Sequence, residues 1–141
     1  MENGIGLILT RLSYNNKKMK QALLVFLGGG FGSVARYWLG VKFNNFENAL
    51  PYGTMLANIL GSLIIGLIFG YAAKTGALSE NNSLLLATGF CGGFTTFSTF
   101  AYENHLYIKN GDYFSFLPYM AITFVLGVTA VFLGLYLSKV F

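Results

Sequence analysis

Gly89-Phe-Cys-Gly-Gly-Phe-Thr-Thr-Phe-Ser-Thr-Phe100 lies in the middle of an apolar run that is long enough to cross a membrane. Gly92 and Gly93 weaken a helix at this point, and the hydroxyls of Thr95 and Thr96 can satisfy backbone groups that a break would free. Non-helical backbone is tolerated at membrane depth only where protein or a water-filled cavity covers it. The stretch therefore predicts a broken span, and the alternative is a continuous helix with a glycine packing notch.

The composition of the whole chain indicates a membrane protein. The 141 residues are 55% hydrophobic and 10% charged, whereas a soluble domain carries about 25% charged residues. A helix needs roughly 20 apolar residues to cross the hydrocarbon layer. We predict an all-α membrane protein whose domain, 19–141, has four transmembrane helices with the third broken mid-membrane, at about 22–41, 52–73, 84–107 and 116–137.

The first eighteen residues precede the first apolar run and end before a second methionine, Met19. Residues 1–18 are polar apart from one short apolar stretch and show no clear cleavage site, so they match neither a signal peptide nor a domain. We expect a poorly ordered leader. It lies upstream of the true start if translation begins at Met19.

Charges at the span ends bear on orientation, because Lys and Arg normally mark the cytoplasmic side. Counted from residue 19, the cations divide almost evenly: Lys20, Lys74 and Lys139 on one side, and Lys42 and Lys109, with Arg36 nearby, on the other. A chain with so little bias can insert both ways and pair as an antiparallel, dual-topology homodimer. Four helices also enclose little interior, so a polar pathway requires an oligomer. The leader would add Arg11, Lys17 and Lys18 to one side and would oppose dual insertion.

Polar side chains recur on one face of the second and fourth spans. Thr54, Asn58 and Ser62 are spaced by four residues, and Tyr119 and Thr123 also share a face. An asparagine amide in lipid needs a protein or water partner. Asn58 therefore faces either a polar pathway or a neighbouring helix.

Beyond the predicted break, an aromatic face and a hydroxyl face lie side by side. Phe97 and Phe100 are three residues apart, while Thr99 and Glu103 share the neighbouring face with Ser98 beside it. Ring edges carry partial positive charge, so rings turned edge-on can meet an anion. Ordinary packing of the two phenylalanines is the alternative.

Ionisable residues inside spans are candidates for function. Arg36 lies six residues before Lys42, so about 9 Å from that span end at 1.5 Å per residue. We expect Arg36 to extend to the interface. A single cysteine, Cys91, excludes an intrachain disulfide, and a single histidine, His105, argues against a zinc site.

Three motifs together resemble the Fluc/CrcB family of fluoride channels: Gly28-Gly-Gly-Phe-Gly-Ser-Val-Ala-Arg-Tyr37, Gly53-Thr-Met-Leu-Ala-Asn-Ile-Leu-Gly61 and the stretch from Gly89 to Phe100. The similarity covers nearly the whole chain from Met19. The resemblance implies a passive fluoride channel, not an enzyme. It also implies an antiparallel homodimer with two pores in the plasma membrane (the inner membrane) of a prokaryote, which exports cytoplasmic fluoride and protects the cell from its toxicity.

The resemblance also implies roles for individual residues. Together with Thr54 on the face of Asn58, the candidate fluoride pore comprises Asn58, Phe97, Ser98, Thr99, Phe100, Glu103, Tyr119 and Thr123. Gly92 and Thr95 are similar to break residues whose carbonyls, from both subunits, hold a structural sodium ion. Arg36 is placed at a vestibule or interface. Thr123 and Gly127 stand where serine or a similar residue is expected. Thr123 keeps the hydroxyl and Gly127 does not, so the lining of the fourth span differs from the family pattern.

Two other functions are open. A small dual-topology, proton-coupled drug exporter has a similar length and four spans, but it needs a central carboxylate. The first span has none, and Glu103 lies off-centre. A structural membrane protein without transport gives no reason for Asn58, the broken span and the phenylalanine pair to occur together.

Overall fold

The computed structural model describes residues 2–44 and 50–140, and the regular structure in these ranges is helical. Helix α1 spans Glu2–Phe43 and α2 spans Tyr52–Thr75. Helix α3 covers residues 80–94, and its central turns, Leu84–Cys91, are widened to π-helical geometry. Helix α4 spans Phe97–Lys109 and α5 spans Tyr113–Val140.

Four helical stretches are long and apolar enough to cross a membrane: Tyr14–Phe43, Tyr52–Thr75, Glu80–Lys109 and Tyr113–Val140. The third consists of α3 and α4 together. Large apolar side chains remain on the surface of the single chain, with Phe26 and Phe31 of α1 exposed by 73% and 71%. Such a surface suits lipid or a partner subunit rather than water. The predicted four-span, all-α membrane architecture is confirmed.

In the N-terminal segment, where we expected a leader, residues 2–18 form the first turns of α1; poor order of this segment stays a prediction. Contacts tie this end of α1 to the start of α3. Lys17 Nζ lies 2.9 Å from Glu80 Oε2, and Gln21 Nε2 donates to Glu80 Oε1 at 2.7 Å. Which methionine starts the chain stays a prediction. Residues 45–49, in the predicted connection after the first span, lie outside the described residues.

Helices α1 and α3 pack through glycines. A Cβ added to Gly28 or Gly32 would collide with backbone carbonyls of α3, and one added to Gly93 would collide with Gly29 of α1. Small residues at such contacts let two backbones approach closely in a membrane. The glycine pair 92–93, expected to weaken the third span, is in fact helical, and Gly93 packs closely on α1.

Helices α2 and α5 pack along most of their length. The buried residues of α2 are small, with glycine at 53, 61, 66 and 70 and Ala57 and Thr54 between them. An added Cβ on Gly134 of α5 would meet backbone atoms of α2. We call this contact, built on Gly66, Gly70 and Gly134, the α2–α5 seam.

Candidate ion pathway at the broken third span

The third span breaks at Thr95 and Thr96. Their backbones are extended, with φ −80° and ψ 159° at Thr95 and φ −151° and ψ 118° at Thr96. Extended geometry suits β-branched residues, whose side chains crowd a helix. The predicted break is confirmed and the continuous-helix alternative is wrong. The break begins just after the glycine pair, at the first residue whose hydroxyl can end the helix.

The two threonines cap the helix ends that they separate. Thr95 donates from its backbone N–H and its hydroxyl to the Cys91 carbonyl, at 2.9 and 2.8 Å. The Thr96 hydroxyl accepts from the Thr99 N–H at 3.2 Å and so caps the start of α4. Helix ends leave backbone groups unpaired, and lipid offers them no water. These side chains allow the break to exist inside a membrane.

Asn58 of α2 holds the break from the side. Its Oδ1 accepts from the Thr96 N–H at 2.7 Å, and its Nδ2 donates to the Thr96 carbonyl at 3.1 Å. In an unbroken helix the Thr96 N–H would pair with the Gly92 carbonyl, so Asn58 frees that oxygen. The amide has a second Nδ2 hydrogen beyond these two bonds. Of the two possibilities for Asn58, the contact with a neighbouring helix is therefore present, and it leaves one donor for a pathway.

Arg36 of α1 supports the break from the opposite side. Its Nε donates to the Gly93 carbonyl at 3.1 Å, and Ser33 Oγ approaches the same oxygen at 3.4 Å. This carbonyl lost its helical partner, the Phe97 N–H, when the chain became extended. The Nε of Arg36 thus points inward to the break, whereas we expected the side chain to extend to the interface, because a freed carbonyl is a stronger acceptor than anything lipid provides.

An open groove of about 570 Å³ runs along the break between α2, the third span and α5. Six of the predicted site residues line it: Asn58, Gly92, Thr95, Phe97, Phe100 and Thr123. The Thr123 hydroxyl oxygen is buried without a hydrogen-bond partner among the described residues. A buried hydroxyl in that state is available to a ligand or water.

Two phenylalanines lead from the groove to a second polar cluster. The Phe97 and Phe100 ring centroids lie 6.2 Å apart, and Phe100 meets the Tyr119 ring at 5.2 Å. Phe97 is 80% exposed in the single chain. Ordinary core packing, the alternative reading of the pair, does not describe Phe97.

Glu103 stands at the centre of this second cluster. Its Oε1 accepts from the Thr54 hydroxyl at 2.8 Å and its Oε2 from the Tyr119 hydroxyl at 2.6 Å. Thr54 and Tyr119 are buried, with 4% and 0% of their surfaces exposed. We call Thr54, Glu103 and Tyr119 the carboxylate cluster. It brings together residues of α2, α4 and α5 that the sequence had placed on separate helix faces.

Ser98 and Thr99 lie outside the groove lining, next to the Thr96 hydroxyl. Thr99 Oγ1 is 3.0 Å and Ser98 Oγ 3.4 Å from Thr96 Oγ1. The predicted hydroxyl face beside the phenylalanines is thus present, with Thr96 at its head. Thr96 was not among the candidate site residues, although its place before Phe97-Ser98-Thr99 is typical of a helix N-cap.

The matched sequence profile decides the family. The profile of the CrcB-like protein family, Camphor Resistance (CrcB), matches residues 23–135. The chain belongs to the CrcB family. The resemblance predicted from its three motifs is therefore confirmed. Separately, within the described ranges no group of three or more His, Cys, Asp or Glu could hold a metal ion.

The chain matches curated CrcB-family relatives over nearly their full length. A protein of Gloeothece citriformis is 51% identical over 122 residues, which is 86% of this chain and 98% of the relative. One of Phocaeicola vulgatus is 44% identical over 86% of this chain and 100% of its own length, and one of Leptospira interrogans is 42% identical over 86% and 97%. Each is named a fluoride-specific ion channel. These relatives are channels, not enzymes.

Proposed function

We propose that the chain is a passive, fluoride-selective ion channel. The observation that carries the proposal is the series of groups along the break, from the Asn58 amide past the rings of Phe97 and Phe100 to the ring of Tyr119. The names of its CrcB-family relatives support fluoride as the ion.

Such a lining suits fluoride for physical reasons. The ion is small and holds its water strongly, so a selective pathway has to replace that water at short range. Amide N–H groups, hydroxyls and ring edges do so without a full positive charge. Binding then stays weak enough for the ion to leave, as conduction requires.

The shape of the single chain supports an antiparallel, dual-topology homodimer with two pores. The groove is open on one side, and Phe97 at its edge is 80% exposed. A second copy laid across this face would cover the ring and close the groove. The near balance of cations counted from Met19 supports insertion in both orientations.

A sodium ion between the subunits fits the residues at the break. The Gly92 carbonyl has lost the Thr96 N–H to Asn58, and a Cβ added at Gly92 would meet nothing within 4 Å. An open, freed carbonyl is the oxygen ligand that a hard cation prefers. Gly92 and Thr95 of each subunit would hold the ion, which would supply a structural link between two broken helices.

Export from the cytoplasm follows from the chemistry of fluoride. Fluoride enters acidified cells as neutral HF and ionises inside. A negative interior then favours exit of the anion by about 2.3 kcal/mol per 100 mV. A passive channel in the inner membrane would therefore lower cytoplasmic fluoride and protect the cell.

The second candidate, a proton-coupled drug exporter, depends on Glu103. That carboxylate accepts a hydrogen bond on each oxygen, from Thr54 and Tyr119. Glu103 lies beside Tyr119. The break, at the centre of the third span, is elsewhere on the helix. A cation-coupled cycle needs a carboxylate that alternates between proton and substrate, so this held position favours the channel.

Ion release from liposomes tests the proposal. Purified protein is reconstituted with internal fluoride, and efflux is followed with a fluoride electrode after valinomycin and potassium are used to permit charge movement. We expect fast fluoride release that depends on valinomycin, and no release of chloride from matched liposomes. Absence of fluoride release, or release that needs a proton gradient, would overturn the channel and favour the exporter.

A further inference from the structure

Asn44, the residue that follows α1, reaches across to the start of α2. Its Oδ1 accepts from the backbone N–H groups of Gly53 and Thr54, at 2.7 and 3.3 Å. Its Nδ2 donates to the Thr54 hydroxyl at 3.2 Å. The same residue therefore caps α2 and touches the carboxylate cluster.

The two backbone bonds fix which way the Asn44 amide faces. Because Oδ1 must meet two N–H donors, Nδ2 is directed at Thr54 Oγ1, and that oxygen acts as an acceptor. A threonine hydroxyl has one hydrogen, and it is left to donate to Glu103 Oε1 at 2.8 Å. The chain of donors runs in one direction, from amide to hydroxyl to carboxylate.

Gly53 provides the space for this contact. A Cβ at Gly53 would lie 2.7 Å from Asn44 Oδ1 and 2.6 Å from the Leu39 carbonyl oxygen. Both distances are shorter than a carbon and an oxygen can approach without displacement. The close approach of α1 and α2 and the orientation of the amide thus depend on the same glycine.

We propose that Asn44 is a positioning residue for the ion pathway, acting through the Thr54 hydroxyl to hold Glu103. The proposal rests on the channel function above. With Thr54 and Tyr119 both donating, the carboxylate is held between these two hydroxyls. Without the Asn44 donor, the Thr54 hydroxyl is free to rotate, and the carboxylate loses one of its two fixed contacts.

Asn44→Asp separates the positioning role from helix capping. The substituted carboxylate keeps an acceptor for the Gly53 and Thr54 N–H groups, but it presents a second acceptor to the Thr54 hydroxyl. We expect fluoride efflux from liposomes to fall about tenfold, the size of one charge-assisted hydrogen bond. The thermal stability of the purified protein should change little, because the cap is retained.

A double-mutant cycle with Thr54→Val distinguishes the positioning role from a purely structural role. It compares the effect of Asn44→Asp on efflux with and without the Thr54 hydroxyl. Valine has the shape of threonine without the hydroxyl, so in that background Asn44→Asp should change efflux less than about twofold. In Thr54→Ser, which keeps the hydroxyl, the tenfold loss should return. Thr54→Ala also lacks the hydroxyl and serves as that background if the valine variant folds poorly.

The outcomes separate this inference from the proposed function. Equal losses from Asn44→Asp in the native, valine and serine backgrounds would overturn the positioning role, as would native efflux in Asn44→Asp itself. Both results leave a conducting native protein. A native protein that releases no fluoride would instead overturn the channel function, and the positioning role with it.

Discussion

Helix α2 meets its two sets of neighbours in opposite ways. At the α2–α5 seam, glycines bring the backbones together, and a Cβ on Gly66 or Gly134 would strike a carbonyl of the other helix. Toward the third span, α2 presents polar side chains, with Asn58 bonded to Thr96 at the break and Thr54 bonded to Glu103 further along α4. The seam is a close contact between two backbones. The contact with the third span is made by polar side chains beside an open groove.

The difference teaches how a four-helix chain combines a stable scaffold with a pathway. In lipid there is no hydrophobic gain from joining two helices, so close packing and hydrogen bonds remain as the attractions. The seam relies on close packing and the break relies on hydrogen bonds. In the proposed channel, the polar atoms that hold the break are also those that a permeating ion would meet. Substitutions there should then alter transport, whereas substitutions at the seam should alter folding.

The largest effect is expected at the seam. Gly134→Val places branched carbons against the Leu63 carbonyl and the Gly66 backbone. Overpacking of this kind costs about 1–3 kcal/mol or more, and backbone cannot move aside as a side chain can. We expect little folded protein on size-exclusion chromatography. Gly30→Val is the matched control, since an added Cβ at Gly30 meets nothing within 4 Å; equal loss in both variants would contradict the seam.

At the break, Asn58→Asp should abolish most transport and leave the fold. The substituted carboxylate still accepts from the Thr96 N–H but loses the donor to the Thr96 carbonyl. It also adds a negative charge beside an anion pathway, worth about 3 kcal/mol at 5 Å and an effective dielectric constant of 20, or roughly a hundredfold in rate. Fluoride efflux from liposomes measures the loss.

Asn82→Asp is the control for charge alone, because Asn82 is exposed at the start of α3. It should conduct as the native protein does. If Asn58→Asp conducts equally well, Asn58 has only a structural role. The break would then not differ from the seam in its effect on transport.

A smaller effect is expected from the exposed ring at the groove. Phe97→Ile removes the ring edge but deletes little surface that is buried within the single chain, where Phe97 is 80% exposed. We expect roughly a tenfold slower efflux, within the range of one aromatic contact. Phe114→Ile changes an even more exposed ring, at 95%, and should have no effect on efflux. Native efflux for Phe97→Ile, or an equal loss for Phe114→Ile, would remove the Phe97 ring from the pathway.

The sequence predicted what periodicity and composition control. Four apolar runs gave the four spans, and the spacing of Phe97 and Phe100 and of Thr54, Asn58 and Ser62 gave correct faces. The broken span was predicted because a Gly-Gly-Phe-Thr-Thr stretch is unusual at membrane depth. The exact position of the break was not, because glycine propensity favours 92–93, while both glycines are helical and Gly93 packs against Gly29.

The sequence did not predict the contacts between distant segments. Asn44 stands in a connection, and its three bonds to Gly53 and Thr54 depend on how closely α1 and α2 approach. Arg36 was placed by its distance to the span end, but its partner is a carbonyl freed 57 residues later. Periodicity describes a face of one helix and carries no information on which orphaned backbone group another helix will present.

The smallest effect concerns Asp112, which caps the start of the seam helix α5. Its Oδ1 accepts from the Ser115 N–H at 3.0 Å, and bonds from the Ser115 side chain and backbone lower the pKa of Asp112 below its ordinary value near 3.8. A carboxyl with a lowered folded pKa adds stability above its unfolded pKa and loses it as the pH falls through the folded pKa. We therefore expect the native protein to melt slightly above Asp112→Asn at pH 7, with the difference lost as the pH falls through the folded pKa of Asp112. Packing along the seam, and not the cap, holds α5, so efflux should be unchanged; a large fall in melting temperature or efflux for Asp112→Asn would show that the seam is weaker than its glycine contacts indicate.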